Sequence, residues 1–225
     1  MVMKYLFALL MLCCPVPDFT VFHQDESIQI LVPGIFHDGE VKYSDEQEEW
    51  TGLYHENGNF VLKSGRVDFV KVFDPVLDME GEKTGIEVTV LPAQNLVLAM
   101  DSSFKGITGE RIATSLSQPF RMKSGDTLTL SLPFSPETIL FEKEGKAWLK
   151  AGDQLQYLTE IYPQGIDEYL EILWAGDLDG DQKIDLLIND ILHYNTWINY
   201  RLFLSSRARF GEVAGEAGFL SAQGC

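Results

Sequence analysis

The sequence predicts a mainly-β protein, in which antiparallel hairpins form a sandwich or barrel-like domain. Three observations carry that expectation. Two short turn signals, Asn57-Gly58 and Glu144-Gly145, each stand between runs of strand length. The runs themselves are dense in Val, Ile, Phe, Tyr and Trp, the side chains that suit a pleated, half-buried surface. No long stretch keeps the period of a helix, and only Gly109 to Ser117 reads as a helical turn.

In chain order, the first hairpin is Trp50 to His55 and Asn59 to Lys63 around Asn57-Gly58. Ser64-Gly65 then reads as a turn into Arg66 to Phe73, where alternation puts Val67, Phe69, Lys71 and Phe73 on one side. Asp74-Pro75 ends that strand, because proline cannot continue a ladder. Ile86 to Leu91, Asn95 to Met100 and Thr127 to Leu132 read as further strands. A second hairpin joins Thr138 to Lys143 with Lys146 to Lys150 across Glu144-Gly145, and Gln154 to Ile161 follows. Near the C-terminus, Glu168 to Ala175, Ile184 to Ile188 and Trp197 to Leu204 are strand-like, bounded by turn residues. The tail from Phe210 to Phe219 is rich in small residues, and its two phenylalanines are expected to dock on the last sheet.

The N-terminus has a different character. Lys4 precedes the apolar run Tyr5 to Leu12, the n- and h-regions of a secretory signal, and the run is too short to span a bilayer. The expected organisation is a signal peptide at 1–17, an N-terminal β region at 18–122 and a C-terminal β region at 123–225. Export, to a periplasmic or extracellular compartment, follows from the first of these. Cys13 and Cys14 invite comparison with a lipoprotein, but a lipobox wants a small residue before the modified cysteine, and Leu12 or Cys13 stands there. The third cysteine, Cys225, is the last residue. It is open to an intermolecular bridge, to a tie with Cys13 or Cys14 if either is retained, or to the fate of an ordinary thiol.

Composition narrows the function. A net charge of −17 over 225 residues opposes nucleic-acid binding, which needs a basic face against phosphates, and opposes electrostatic attachment to anionic lipid. It favours solubility and attraction for cations. The short acidic stretch Asp45 to Glu49 reads as a solvated loop.

One stretch declares a chemistry. In Asp177-Leu-Asp-Gly-Asp-Gln-Lys-Ile-Asp185, carboxylates fall at positions 1, 3, 5 and 9, with Gly180 where the backbone must fold back. Calcium takes six to eight oxygens at about 2.3–2.6 Å, which explains both the residue type and the spacing. Asp177, Asp179, Asp181 and Asp185 each offer a side-chain oxygen, and the carbonyl of Lys183 stands where a backbone ligand is usual. An acidic turn needs aspartate and glycine for backbone reasons, but not this alternating register. An EF-hand would need glycine at loop position 6 and glutamate at position 12, and Gln182 and Ile188 occupy those places.

The pattern D-x-D-G-D-x-x-x-D followed by an apolar strand resembles the calcium loops of FG-GAP and VCBS-type repeats, over about thirty residues from Glu171 to Ser205. The resemblance implies a loop joining two strands, with calcium held by Asp177, Asp179, Asp181 and Asp185. A single copy is present, so a multi-bladed propeller is not implied.

Little else suggests a site. His23, His37, His55 and His193 lack zinc-binding spacing, with His193 standing nearest the acidic loop, and no nucleophile elbow, P-loop or dinucleotide fingerprint occurs. Trp50, Trp148, Trp174 and Trp197 would form a glycan platform only if two were exposed side by side. The expected function is thus non-catalytic calcium binding with a structural ion. The alternative is a calcium-assisted module for a glycan or surface protein, and a secreted hydrolase stands third.

Overall fold

The computed structural model describes residues 27–41, 49–91, 95–106, 109, 111–133, 135–161, 169–193 and 197–223. The expected leader, His23, residues 45–48 and all three cysteines lie outside the described residues.

Among the described residues the chain is antiparallel β, as its sequence predicts, with one 3₁₀ turn at Ser205–Arg207. The strands form three sheets. The first holds β1 (Ile30–Leu31), β2 (Gly34–Phe36), β3 (Glu49–Glu56), β4 (Asn59–Val72), β5 (Gly85–Leu91), β6 (Leu96–Met100) and β7 (Arg111–Ile112). Its order is β1-β6-β3-β4-β5-β2, with β7 also on β4. The chain then crosses to another sheet through β8 (Thr114–Leu116) and β9 (Phe120–Met122). A four-stranded meander follows: β10 (Thr127–Leu130), β11 (Thr138–Lys143), β12 (Lys146–Ala151) and β13 (Gln154–Glu160). Last come β14 (Leu170–Gly176), β15 (Asp185–His193), β16 (Trp197–Leu204) and β17 (Gly215–Ala222). They build a six-stranded sheet in the order β17-β16-β15-β14-β8, with β9 also on β14.

This last sheet is the middle layer. Along β15, Leu186 and Ile188 belong to the apolar cluster shared with β10 to β13, while Leu187 belongs to the cluster shared with the first sheet. Along β16, Leu202 and Leu204 face the first sheet and Phe203 faces the meander. A strand covered on both faces reads as a continuous apolar run, which is the pattern of Leu186 to Ile188. An extra residue in β14, where the register shifts between Ile172 and Trp174, turns Trp174 toward the first sheet while Ile172 faces the meander.

Both turn signals operate as expected. Asn57 and Gly58 have φ of 50° and 76°, and Glu144 and Gly145 have 58° and 75°. Two consecutive positive values are what a two-residue hairpin turn of the favoured hand requires.

Three expectations are corrected. Ser64-Gly65 is not a turn, because β4 runs unbroken from Asn59 to Val72. The alternation breaks there for another reason: Phe60 and Leu62 are buried on one parity and Val67 on the other. Gly65 is needed because a Cβ would stand 2.8 Å from the Leu91 carbonyl and 3.1 Å from the Tyr54 hydroxyl. Gly109 to Ser117 contains strands β7 and β8 and no helical turn among its described residues. The tail docks through a backbone ladder to β16, with Ala217, Leu220 and Ala222 buried, while Phe210 and Phe219 are exposed.

Candidate cation site

The acidic loop joins β14 to β15, and Gly176↔Asp185 is the pair that closes the hairpin. Gly176 admits no side chain: a Cβ would meet Trp174 at 2.4 Å and the Ala113 carbonyl at 2.5 Å. That close approach lets the Asp177 amide donate to the same carbonyl at 2.8 Å, which fixes the first turn of the loop. Gly180 and Gln182 then fold the backbone back with φ of 85° and 67°.

The carboxylates of Asp177, Asp179 and Asp185 each bring an oxygen within 4.8 Å of the others. Asp177 is braced by the amides of Gly180 (2.9 Å) and Gln182 (3.1 Å). Asp185 is fully buried, and its two oxygens accept the amides of Leu178 (2.6 Å) and Ser205 (2.7 Å). Asp181 lies outside this triad. Its oxygens accept the Lys183 amide at 2.9 Å and the Ser205 hydroxyl at 2.7 Å, and the Lys183 ammonium stands 3.6 Å away. Lys183 therefore meets Asp181 through its nitrogens. Asp179 accepts the Asp181 amide at 3.3 Å and the Ser206 hydroxyl.

Ser205 and Ser206 are the members that sequence reasoning missed. They stand twenty residues beyond Asp185, on the 3₁₀ turn after β16. Only the pairing of β15 with β16, Leu186 opposite Phe203, brings them over the loop. The available signal was a Ser-Ser pair ending an apolar strand, which has no meaning until that register is known.

Without a cation the loop holds its charge at a cost. Burial is the main reason the Asp185 carboxyl lies well above the usual carboxylate range, and the nearby Asp179 adds to it. Burial also raises Asp177, with Asp179 and Asp181 contributing, against the lowering effect of the Gln182 and Gly180 amides. A divalent ion among these oxygens would reverse that balance. The donor set is all oxygen, which suits a hard cation such as calcium or magnesium and offers nothing to a soft one. An open cleft of about 310 Å³, lined in part by Asp179, Gly180, Asp181 and Ser206, gives access to the loop from solvent.

The other candidates lie elsewhere. His37 is buried and paired with Asp74, and His55 stacks on Phe60. Trp50 and Trp174 are buried, and Trp148 packs edge-on against Tyr157. Trp197 is 46% exposed but pairs with His193, at the end of the β15–β16 hairpin opposite to Asp185. No helix among the described residues is long and apolar enough to cross a membrane. No family model, curated protein or solved structure matches the chain.

Proposed function

We propose that this chain is an exported, acidic β protein that binds one calcium ion in the loop from Asp177 to Asp185, and that the ion is structural. The carrying observation is the convergence of Asp177, Asp179 and Asp185 within 4.8 Å. The ion would tie the turn of the β14–β15 hairpin to the start of β15, in the sheet that packs on both of the others. Asp185 already uses both oxygens to bind backbone, as suits a carboxylate that holds structure rather than one that shuttles protons. Export rests on Lys4 and the apolar run that follows it. Outside the cell, calcium is abundant enough to fill sites with Kd of about 10⁻⁴–10⁻³ M. The glycan-platform alternative draws less support, because Trp50 and Trp174 are buried and unable to stack on a sugar.

The test is thermal unfolding of residues 18–225 in EGTA and in millimolar calcium, beside Asp179→Ala and Asp177→Asn. Calcium at ten times Kd should stabilise the wild type by about 1.4 kcal/mol and leave both variants unmoved. A wild type indifferent to calcium would overturn the proposal. Magnesium in place of calcium tests the ion's identity, since it tolerates this crowded, carboxylate-rich geometry less well.

A further inference from the structure

The meander packs one face on the middle sheet, where Leu140, Leu149 and Leu158 are buried, and turns the other face outward. An antiparallel sheet with one solvated face ordinarily alternates apolar-in with polar-out. This one does not. The ladder register sets Phe141, Trp148 and Tyr157 side by side across β11, β12 and β13 on the outward face. The neighbouring row on that face holds Ile139, Lys150 and Leu155. Leu155 and Tyr157 are exposed, and Trp148 lies edge-on to Tyr157.

The outward face is also basic. Lys143 stands directly opposite Lys146 across the β11–β12 ladder, and Lys150 flanks the aromatic row on its other side, against the single carboxylate of Glu160. Like charges directly across a ladder cost stability, and an anionic partner would relieve them. A chain of net charge −17 thus carries an aromatic face of positive sign.

A surface of the complementary kind stands on the first sheet, in the segment from Asp74 to Thr84 between β4 and β5. Its own carboxylates brace its backbone. Asp78 accepts the amides of Asp74 and Thr84, both at 2.8 Å, and Asp74 accepts those of Val76 (2.9 Å) and Leu77 (3.2 Å). Glu82 accepts the Met79 amide at 2.9 Å. The braced loop turns Val76, Leu77 and Met79 to solvent, Met79 at 77% exposure. Eleven residues here include four carboxylates and one lysine. The loop is therefore an acidic, apolar knob already held in shape, so little ordering entropy opposes its docking.

The knob belongs to one outer layer, and the basic face points away from the middle sheet on the other. They cannot meet within one chain. Between two chains they match in sign and in character: apolar side chains among carboxylates meet an aromatic row flanked by lysines. We propose that the chain associates with a second copy of itself, the 74–84 loop of one copy seated on the outward face of the β10–β13 meander of the next. The contact is heterologous, so its repetition gives a ring or a filament. A face of four short strands measures about 15 Å by about 20 Å. That is small beside the roughly 800 Å² per partner of a standard interface, so the association is weak.

Sedimentation velocity of residues 18–225 under reducing conditions, from about 10 μM to about 1 mM, tests the proposal in the range where a weak contact fills. The wild type should grow beyond a dimer as concentration rises. Lys146→Glu with Lys150→Glu reverses the sign of the face, and Leu77→Ser with Met79→Ser removes the apolar tip of the knob. All four side chains are exposed, so the fold is expected to survive both changes. Each double variant alone should stay monomeric. Mixed in equal amounts, the two should form a one-to-one dimer and nothing larger, because each keeps the half that the other has lost. A wild type that stays monomeric throughout would leave each surface to a different partner and overturn the proposal. Association that survives in either variant alone, or a mixture that stays monomeric, would overturn it as well.

Discussion

The Asp185 carboxylate accepts the backbone amide of Ser205 at 2.7 Å, across twenty residues of sequence and with both groups buried. Its second oxygen takes the Leu178 amide at 2.6 Å, so one side chain ties the acidic loop to the turn that leaves β16. Asp185→Ala would strand two amides away from water. Each unsatisfied buried donor costs about 1–3 kcal/mol, so the variant should lose about 3 kcal/mol in urea unfolding even with EGTA present. Asp179→Ala, whose partners are more exposed, should cost less than about 1 kcal/mol under the same conditions. Equal losses for the two would mean that Asp185 is no more than a ligand.

Asp190 gives the clearest dependence on pH away from the cation loop. It is buried between β15 and β13, where it accepts the Thr159 hydroxyl at 2.7 Å and stands 3.4 Å from Arg201. Burial raises its pKa and outweighs the opposing effects of Thr159 and Arg201. The folded protein therefore keeps this proton to a higher pH than the unfolded chain does. The resulting stability is whole below the unfolded carboxylate value of about 3.9 and is lost as pH rises through the raised folded value. Asp190→Asn keeps an acceptor for Thr159 and does not titrate. Urea melts from pH 4 to 7 should show wild type losing ground to the variant as pH rises, and a constant difference would contradict this.

What the sequence discloses follows the range of the interaction. The Asn57-Gly58 and Glu144-Gly145 turns were legible because two residues suffice to set two positive φ values. The acidic loop was legible for the same reason: its spacing is local, and three of its aspartates do converge. β17 was not, because Gly215, Ala217 and Gly218 carry no β signal and are recruited by pairing with β16. Gly65 was misread because a glycine inside a strand and a glycine in a turn look alike until the Tyr54 hydroxyl and the Leu91 carbonyl are seen against it. Ser205 and Ser206 acquire a role only through the β15–β16 register.

The two serines should matter most when no cation is present. The Ser205 hydroxyl, on a buried residue, donates to Asp181, and Ser206 donates to Asp179. Each holds an aspartate of a loop whose charges repel. Ser205→Ala should lower stability in EGTA by about 1 kcal/mol, the usual net worth of such a bond, and by less in calcium. Comparison of the two melting shifts checks it. A loss that is equal with and without calcium would show the hydroxyl to be ordinary packing.

Gly215 places these serines. It opens β17, directly across from the 3₁₀ turn, and a Cβ there would stand 2.1 Å from the Arg207 carbonyl oxygen and 2.5 Å from its carbon. Both obstacles are backbone, so no rotamer change relieves the contact, and either the turn or the strand must move. Gly215→Ala should therefore cost about 3 kcal/mol, at the upper end for overpacking. The turn that moves carries Ser205 and Ser206, so the variant should also bind calcium more weakly, although residue 215 lies outside the acidic loop. Gly211→Ala is the control: nothing lies within 4 Å of a Cβ there, and its φ of 91° confines the strain to its own backbone. Gly211→Ala should lose stability and keep the wild-type calcium affinity, whereas Gly215→Ala should lose both. Calcium titrations of the two, at a temperature where each is folded, separate a displaced turn from a general loss of stability.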